Sequence, residues 1–125
     1  MMHRLLPLAL LAALLPACDS GGGDGDGDGG DEGPDVDCAT ATVPKFSEMT
    51  AWTKCTNCHS STLTDSARNA APIGVDFDTV AAARANAQIA MDEVFEGSMP
   101  LAGFPQLSDA EKTQIYNWAS CDTPE

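Results

Sequence analysis

The stretch Cys55-Thr56-Asn57-Cys58-His59 carries the strongest signal in this chain of 125 residues. Two residues separate its cysteines, and a histidine follows the second cysteine directly. A C-x-x-C-H run is typical of covalent attachment of a c-type haem, in which two thiols one helical turn apart bond to the vinyl groups and the histidine binds the iron. The motif therefore predicts one haem c, held by Cys55, Cys58 and His59, at the centre of a small domain.

Two other interpretations of this motif are weaker. A structural zinc site needs four ligands, usually from two separated pairs. The chain has no second C-x-x-C, and its other histidine, His3, lies in the predicted signal peptide of residues 1–17. A thioredoxin-like dithiol is expected in a βαβ setting, and the pattern shows none. Haem attachment is the interpretation that uses all three motif residues.

The hydrophobic pattern of the C-terminal part indicates helices and no convincing strand. We expect three helices, over residues 45–57, 78–96 and 108–120. Gly97 supplies a stop for the second helix, and Ser108 with Glu111 forms a capping box at the start of the third. The third helix directs Ile115 and Trp118 inward. The predicted fold class is all-α, with about three helices around one haem.

With His59 as the fifth ligand of the iron, the sixth cannot be a second histidine of this chain, because the only other histidine lies in the predicted signal peptide. Met49 shares a predicted helix with the motif and does not easily reach the opposite face of the ring. Met91 lies on an apolar stripe, where methionine usually fills the core. Met99 lies in a loop before Pro100, which favours an extended backbone. We predict Met99 as the axial ligand, with Met91 or an open site as lesser alternatives.

The order of these features resembles that of small class I c-type cytochrome domains. The features that carry the resemblance are C-x-x-C-H, Ser98-Met99-Pro100, Leu107-Ser108-Asp109-Ala110-Glu111 and the run from Ile115 to Trp118. In that family a Met-Pro pair precedes a C-terminal helix that packs across the N-terminal one. The resemblance covers about residues 44–119, and it implies a cytochrome c fold and a role in electron transfer.

One feature of the family is missing, because no Gly-Pro pair follows His59 closely. The nearest substitute is Ala71-Pro72-Ile73-Gly74, and the Pro72 carbonyl is a candidate acceptor for a hydrogen bond from the His59 ring. The alternative is that Pro72 only shapes a turn. Arg68 in the same loop is interpreted as a solvated side chain rather than as a partner for a haem propionate.

Cys38 and Cys121 flank the predicted domain. In an oxidising compartment an even pair of remaining cysteines favours a disulfide, with two free thiols as the alternative. Closing a loop of roughly 80 residues would contribute up to about 4 kcal/mol to stability by the loop-entropy estimate.

The N-terminus has the pattern of a secretory signal, because a basic start is followed by an apolar run of residues 5–17. That run is too short to span a bilayer, which takes about 20 residues. Its end, Leu15-Pro16-Ala17-Cys18, resembles the lipobox of bacterial lipoproteins, which implies a signal peptide over residues 1–17 and lipidation of Cys18. An ordinary cleaved signal, with Cys18 as an incidental thiol, is the alternative.

A linker follows the predicted lipidation site. Residues 19–37 contain eight Gly, seven Asp and one Glu. Such a segment has almost no apolar surface to bury and many like charges, so we expect a disordered tether over residues 18–37 and a folded domain over residues 38–125.

Charge excludes one class of partner. The chain has a net charge of −13, and the predicted domain alone has 11 acidic and 5 basic residues. Nucleic acid is therefore not an expected partner, because its binding depends on Lys and Arg.

These predictions together describe a lipid-anchored protein of the bacterial cell envelope that faces the periplasm and passes single electrons between redox partner proteins, without being an enzyme. Three alternatives stay open. They are a haem-based ligand-binding or sensing module, an electron-entry subunit of a larger oxidoreductase complex, and a surface lipoprotein without haem.

Overall fold

A computed structural model describes residues 33–125. This part contains four α-helices: α1 (Ala51–Cys55), α2 (Val80–Ala85), α3 (Ala87–Phe95) and α4 (Asp109–Ser120). It also contains two 3₁₀ turns, Phe46–Glu48 and Asp65–Arg68, and no strand lies within these residues. The predicted all-α class is confirmed at this level.

Several predictions fall on the N-terminal segment. The signal peptide over residues 1–17, the lipidation site Cys18 and the first fifteen residues of the tether lie outside the described residues. The described part begins five residues before Cys38, and Gly33, Pro34 and Val36 are partly buried there. None of the helices in the described part is long and apolar enough to cross a bilayer.

The first helix is shorter than predicted. The 3₁₀ turn Phe46–Glu48 replaces its beginning, closed by a bond from the Lys45 backbone N–H to a Glu48 carboxylate oxygen at 3.0 Å. Met49 then adopts an extended backbone with ψ of 108°, and its side chain is buried. The chain thus gives up helical hydrogen bonds at Met49 and places this side chain in the core.

The predicted second helix is divided into α2 and α3 at Asn86. The backbone of Asn86 leaves the helical region, with φ −115° and ψ 12°. Its buried side-chain amide donates to Ala82 O at 2.9 Å and to Gly74 O at 3.0 Å. Asparagine side chains compete in this way with the helical hydrogen-bond ladder. The predicted stop at Gly97 is confirmed, because α3 ends at Phe95 and Gly97 takes a φ of +77°.

The start of α4 follows the sequence prediction. Ser108 accepts a hydrogen bond from the Glu111 N–H, and the Glu111 carboxylate accepts from the Ser108 N–H at 2.7 Å. The predicted capping box is therefore confirmed. Ile115 and Trp118 are fully buried, as expected for the inward face of this helix.

The core forms where α4 packs against α1 and α3. Trp52 of α1 meets Trp118 of α4 edge-on at 5.4 Å between ring centroids, and it stacks on Phe77 at 5.1 Å. Phe46 lies against both tryptophans at about 6 Å. Large rings dominate such cores, because each one removes much apolar surface from water.

The two ends of the described chain lie together. Cys38 and Cys121 form a disulfide with their Cα atoms 5.6 Å apart, which confirms the predicted pairing. Pro124 O accepts from the Phe46 N–H at 3.0 Å and from the Trp118 indole N–H at 2.8 Å. The C-terminal residues are therefore tied both to the segment before α1 and to the core.

Candidate functional site

The C-x-x-C-H motif lies at the end of α1. Cys55 is the last residue of the helix, and its carbonyl accepts from the N–H groups of Cys58 at 3.1 Å and of His59 at 2.9 Å. These bonds form a tight turn that keeps the two cysteines about one helical turn apart. Both are free thiols.

A cavity of about 260 Å³ lies beside this turn, and Cys55, Cys58, His59 and Met99 all line it. The remaining lining is mostly apolar. It includes Phe77, Ile89, Val94, Leu101, Leu107 and Ile115. Helices α1, α3 and α4 and the loops between them therefore bring four predicted ligand residues to one apolar space.

The methionines differ in their surroundings. Met99 is held near the end of α3, because its N–H donates to Glu93 O at 3.1 Å. Met91 is buried, accepts a hydrogen bond at its sulfur from the Ser120 hydroxyl at 3.3 Å, and is not part of the cavity lining. Met49 also belongs to the core rather than to the cavity. Among the three candidates, only Met99 reaches the space next to His59.

The His59 ring is oriented by a backbone carbonyl. Its Nδ1 lies 2.8 Å from Val75 O, and the half-buried ring meets Phe77 edge-on at 5.5 Å. Since a carbonyl oxygen only accepts, Nδ1 must donate, which leaves the lone pair of Nε2 free for a metal. Nδ1 bonded to a carbonyl is the usual arrangement of a metal-binding histidine.

The prediction that Pro72 supplies this carbonyl is wrong. Pro72 O instead accepts from an Arg68 Nη2 group at 2.7 Å, while Pro72 itself still lines the cavity. The acceptor comes three residues later because the chain turns after Pro72, with Val75 N–H bonded to Pro72 O at 3.3 Å. Sequence spacing does not distinguish these two carbonyls, since every residue has one.

The expectation of a solvated Arg68 is also wrong. Arg68 is 4% exposed, and its guanidinium pairs with the buried Asp76 carboxylate at 2.8 Å. It further donates to four carbonyls of the same loop, those of Ser60, Ala71, Pro72 and Val75. An arginine and an aspartate eight positions apart in a polar loop show no periodicity that would predict this pair.

A second ion pair joins α1 to the start of α4. Lys54 Nζ lies 2.6 Å from a Glu111 oxygen and 2.9 Å from Gln106 O. This ammonium group and the Ser108 donors hold the pKa of Glu111 below its ordinary value. Lys54 precedes Cys55, so the pair fixes the motif against the cap of α4.

The surroundings of Cys55 suppress its ionisation. Burial raises the pKa of the Cys55 thiol to about 12, and the negative charge of Glu111 adds to this effect. A thiol with this pKa stays neutral at physiological pH, and it is a poor nucleophile for disulfide exchange, which needs the thiolate.

Residues 33–125 contain no group of three or more His, Cys, Asp or Glu side chains arranged to hold a metal ion. Comparisons with protein-family models, with curated proteins and with solved structures find no match to this chain.

Proposed function

We propose that this protein is a mono-haem c-type cytochrome that carries single electrons. The observation that supports this proposal most is the apolar cavity, because its lining combines Cys55, Cys58, His59 and Met99. A covalent haem with one histidine and one methionine ligand requires these side chains at one site, and the sequence separates the first of them from the last by 44 positions.

Cys55 and Cys58 would hold the porphyrin through thioethers. Both thiols are free to form these bonds, and the high pKa of Cys55 argues against the rival dithiol-exchange function, which needs ready ionisation. Thioether formation adds a thiol across a vinyl group and leaves a neutral sulfur, which suits the apolar lining.

His59 and Met99 would supply the protein ligands of the iron. The Val75 carbonyl holds the His59 ring with Nδ1 as donor, so that Nε2 is the binding atom. A histidine and a thioether together favour a low-spin iron with a raised reduction potential. Held by these residues, a haem would supply one-electron chemistry, in which no substrate bond would be made or broken.

The helical arrangement is consistent with the class I cytochrome c fold. The motif ends one helix, α4 packs against that helix, and the Met99 loop precedes α4. Residues 15–18 resemble a lipobox, and an acidic tether follows them. The proposed protein is therefore a lipid-anchored carrier in the bacterial envelope. It faces the periplasm and exchanges electrons with redox partner proteins.

Purification from cells that attach c-type haem tests the proposal. We expect a red protein whose intact mass includes one haem and a pyridine haemochrome spectrum with both vinyl groups saturated. A colourless protein of unmodified mass would overturn the proposal. The same mass measurement would show whether lipid is attached at Cys18.

Paired methionine variants test the sixth ligand. Leucine is close to methionine in volume, so neither substitution should unfold the domain. We expect Met99→Leu to abolish the methionine-to-iron absorption band and Met91→Leu to retain it. Retention of the band in Met99→Leu would refute the assignment of Met99, and rapid binding of carbon monoxide by the reduced wild-type protein would favour a ligand-binding module instead.

A further inference from the structure

The loop between the motif and α2 is organised around a single guanidinium group. Arg68 donates from Nη1 to Ser60 O at 2.7 Å and from Nε to Ala71 O at 3.1 Å. Its Nη2 donates to Pro72 O at 2.7 Å and to Asp76 Oδ1 at 2.8 Å. One buried side chain thus ties the residue that follows His59 to the segment of residues 71–76.

These bonds enclose the acceptor of the His59 ring. Val75 lies between Pro72 and Asp76, and Arg68 Nη2 is bonded to both of them. The same Nη2 lies 3.4 Å from Val75 O, the oxygen that accepts from His59 Nδ1 at 2.8 Å. Arg68 therefore helps to set the position of this carbonyl relative to the ring, together with the bond from the Phe77 N–H to His59 O at 2.9 Å.

We propose that Arg68 is a positioning residue for His59: it holds the Val75 carbonyl against Nδ1 and so selects the tautomer whose Nε2 is free for the metal. The consequence for an iron ligand rests on the proposed function, whereas the tautomer itself is a property of the polypeptide. Partners of this kind around a ligating histidine affect its basicity and orientation.

Selective ¹⁵N-histidine labelling of the full chain measures the tautomer directly by NMR. The chain has only two histidines, His3 and His59, so a His3→Gln variant assigns the signals. In the wild type we expect the Nδ1–H tautomer of His59 to dominate and its proton to exchange slowly with water. The tautomer is read in protein made without haem attachment, and the proton exchange is read both without haem and with it.

Arg68→Gln removes the guanidinium group, which bonds to Ser60 on one side of the loop and to residues 71–76 on the other. We expect the Nδ1–H proton of His59 to exchange about tenfold faster in this variant, the equivalent of one hydrogen bond, and the second tautomer to become visible. Arg68→Lys keeps the positive charge but loses the several N–H donors of the guanidinium. Its exchange rate and tautomer population should lie between those of the wild type and Arg68→Gln. Should Arg68→Gln fail to fold, Arg68→Lys decides the question by the same readout.

Asp78→Asn is the matched control. Asp78 also bridges this loop, through bonds to the Ser61 N–H at 3.1 Å and the Ser61 hydroxyl at 2.6 Å, but it has no hydrogen bond to Val75 or Arg68. Its His59 signals should equal those of the wild type. Wild-type tautomer and exchange in a folded Arg68 variant would overturn the proposal and leave Arg68 as a clamp of the loop only.

The haem-loaded protein gives a second readout. We expect the midpoint potential to change in Arg68→Gln and to stay within error of the wild type in Asp78→Asn. If the wild-type chain carries no haem, the proposed function fails, while the tautomer measurement still decides the role of Arg68.

Discussion

Two regions hold His59 in place, and different interactions stabilise them: apolar packing in one and a buried ion pair in the other. On one side, α1 and α4 pack through large apolar rings, with Trp52 in contact with both Trp118 and Phe77. On the other side, the loop over residues 60–79 is held by Arg68 and Asp76, a buried ion pair in which Arg68 also bonds to backbone carbonyls.

The difference lies in what each region tolerates. Apolar packing is non-directional, so a ring can be replaced by a somewhat smaller ring at moderate cost. A buried charge pair depends on both partners, because either one alone is left unpaired away from water. We therefore expect the helical region to respond to changes of shape and the loop to respond to changes of charge.

The largest effect is expected from Asp76→Ala. This change leaves the Arg68 charge buried without its carboxylate, and breaking such a pair costs about 3 kcal/mol of unfolding free energy. Urea denaturation measures the loss. Asp78→Ala removes a more exposed carboxylate from the same loop and should cost less than about 1 kcal/mol. Equal losses in the two variants would contradict the contrast between the regions.

A smaller effect is expected from conservative changes of the two tryptophans. The Trp118 indole N–H donates to Pro124 O at 2.8 Å, whereas the buried Trp52 indole N–H has no hydrogen-bond partner. We expect Trp118→Phe to cost about 2 kcal/mol and Trp52→Phe about 1 kcal/mol, with the hydrogen bond accounting for the difference. Thermal unfolding of both variants checks this order, and a greater loss in Trp52→Phe would reverse it.

The smallest effect concerns an ion pair within the helical region, between Lys54 of α1 and Glu111 of α4. The pKa of Glu111 is lowered in the folded protein, chiefly by its bond to Lys54, so its charged form favours folding. This contribution is present in full above its ordinary pKa of 4.5 and is lost as the pH falls through the lower folded-state pKa. Solvent screening limits it to less than about 1 kcal/mol.

Glu111→Gln tests this pH dependence. The variant should be less stable than the wild type at neutral pH, and the difference in unfolding free energy should shrink towards acid pH. A difference that does not vary with pH would contradict a stabilising contribution from the charge of Glu111.

The sequence predicted best where the signal is local. Three predictions depend on residues within one or two helical turns, and all three are confirmed. They are the capping box of Ser108 and Glu111, the end of α3 before Gly97, and the buried face of α4 with Ile115 and Trp118. The break at Asn86 was missed, because its cause is a contact with Gly74 O, twelve residues away.

In the candidate site, too, the features with a local sequence signal were predictable and the others were not. The spacing within residues 55–59 predicts haem attachment, and Met99, the methionine that the sequence favours as a ligand, lines the same cavity as this motif. The carbonyl of Val75 and the burial of Arg68 were not predictable, since both depend on how one polar loop folds back on itself. Loop conformation of this kind leaves no periodic trace in the sequence.

The disulfide between Cys38 and Cys121 has a consequence for damage to this protein. It joins residues 83 positions apart, and the whole motif, Met99 and the Arg68 loop lie between them. Cutting the backbone once anywhere in this interval leaves the two fragments in one covalent molecule. A protease that nicks an exposed loop would therefore release no part of the proposed haem-binding residues, and the nick would be seen on a gel only after reduction.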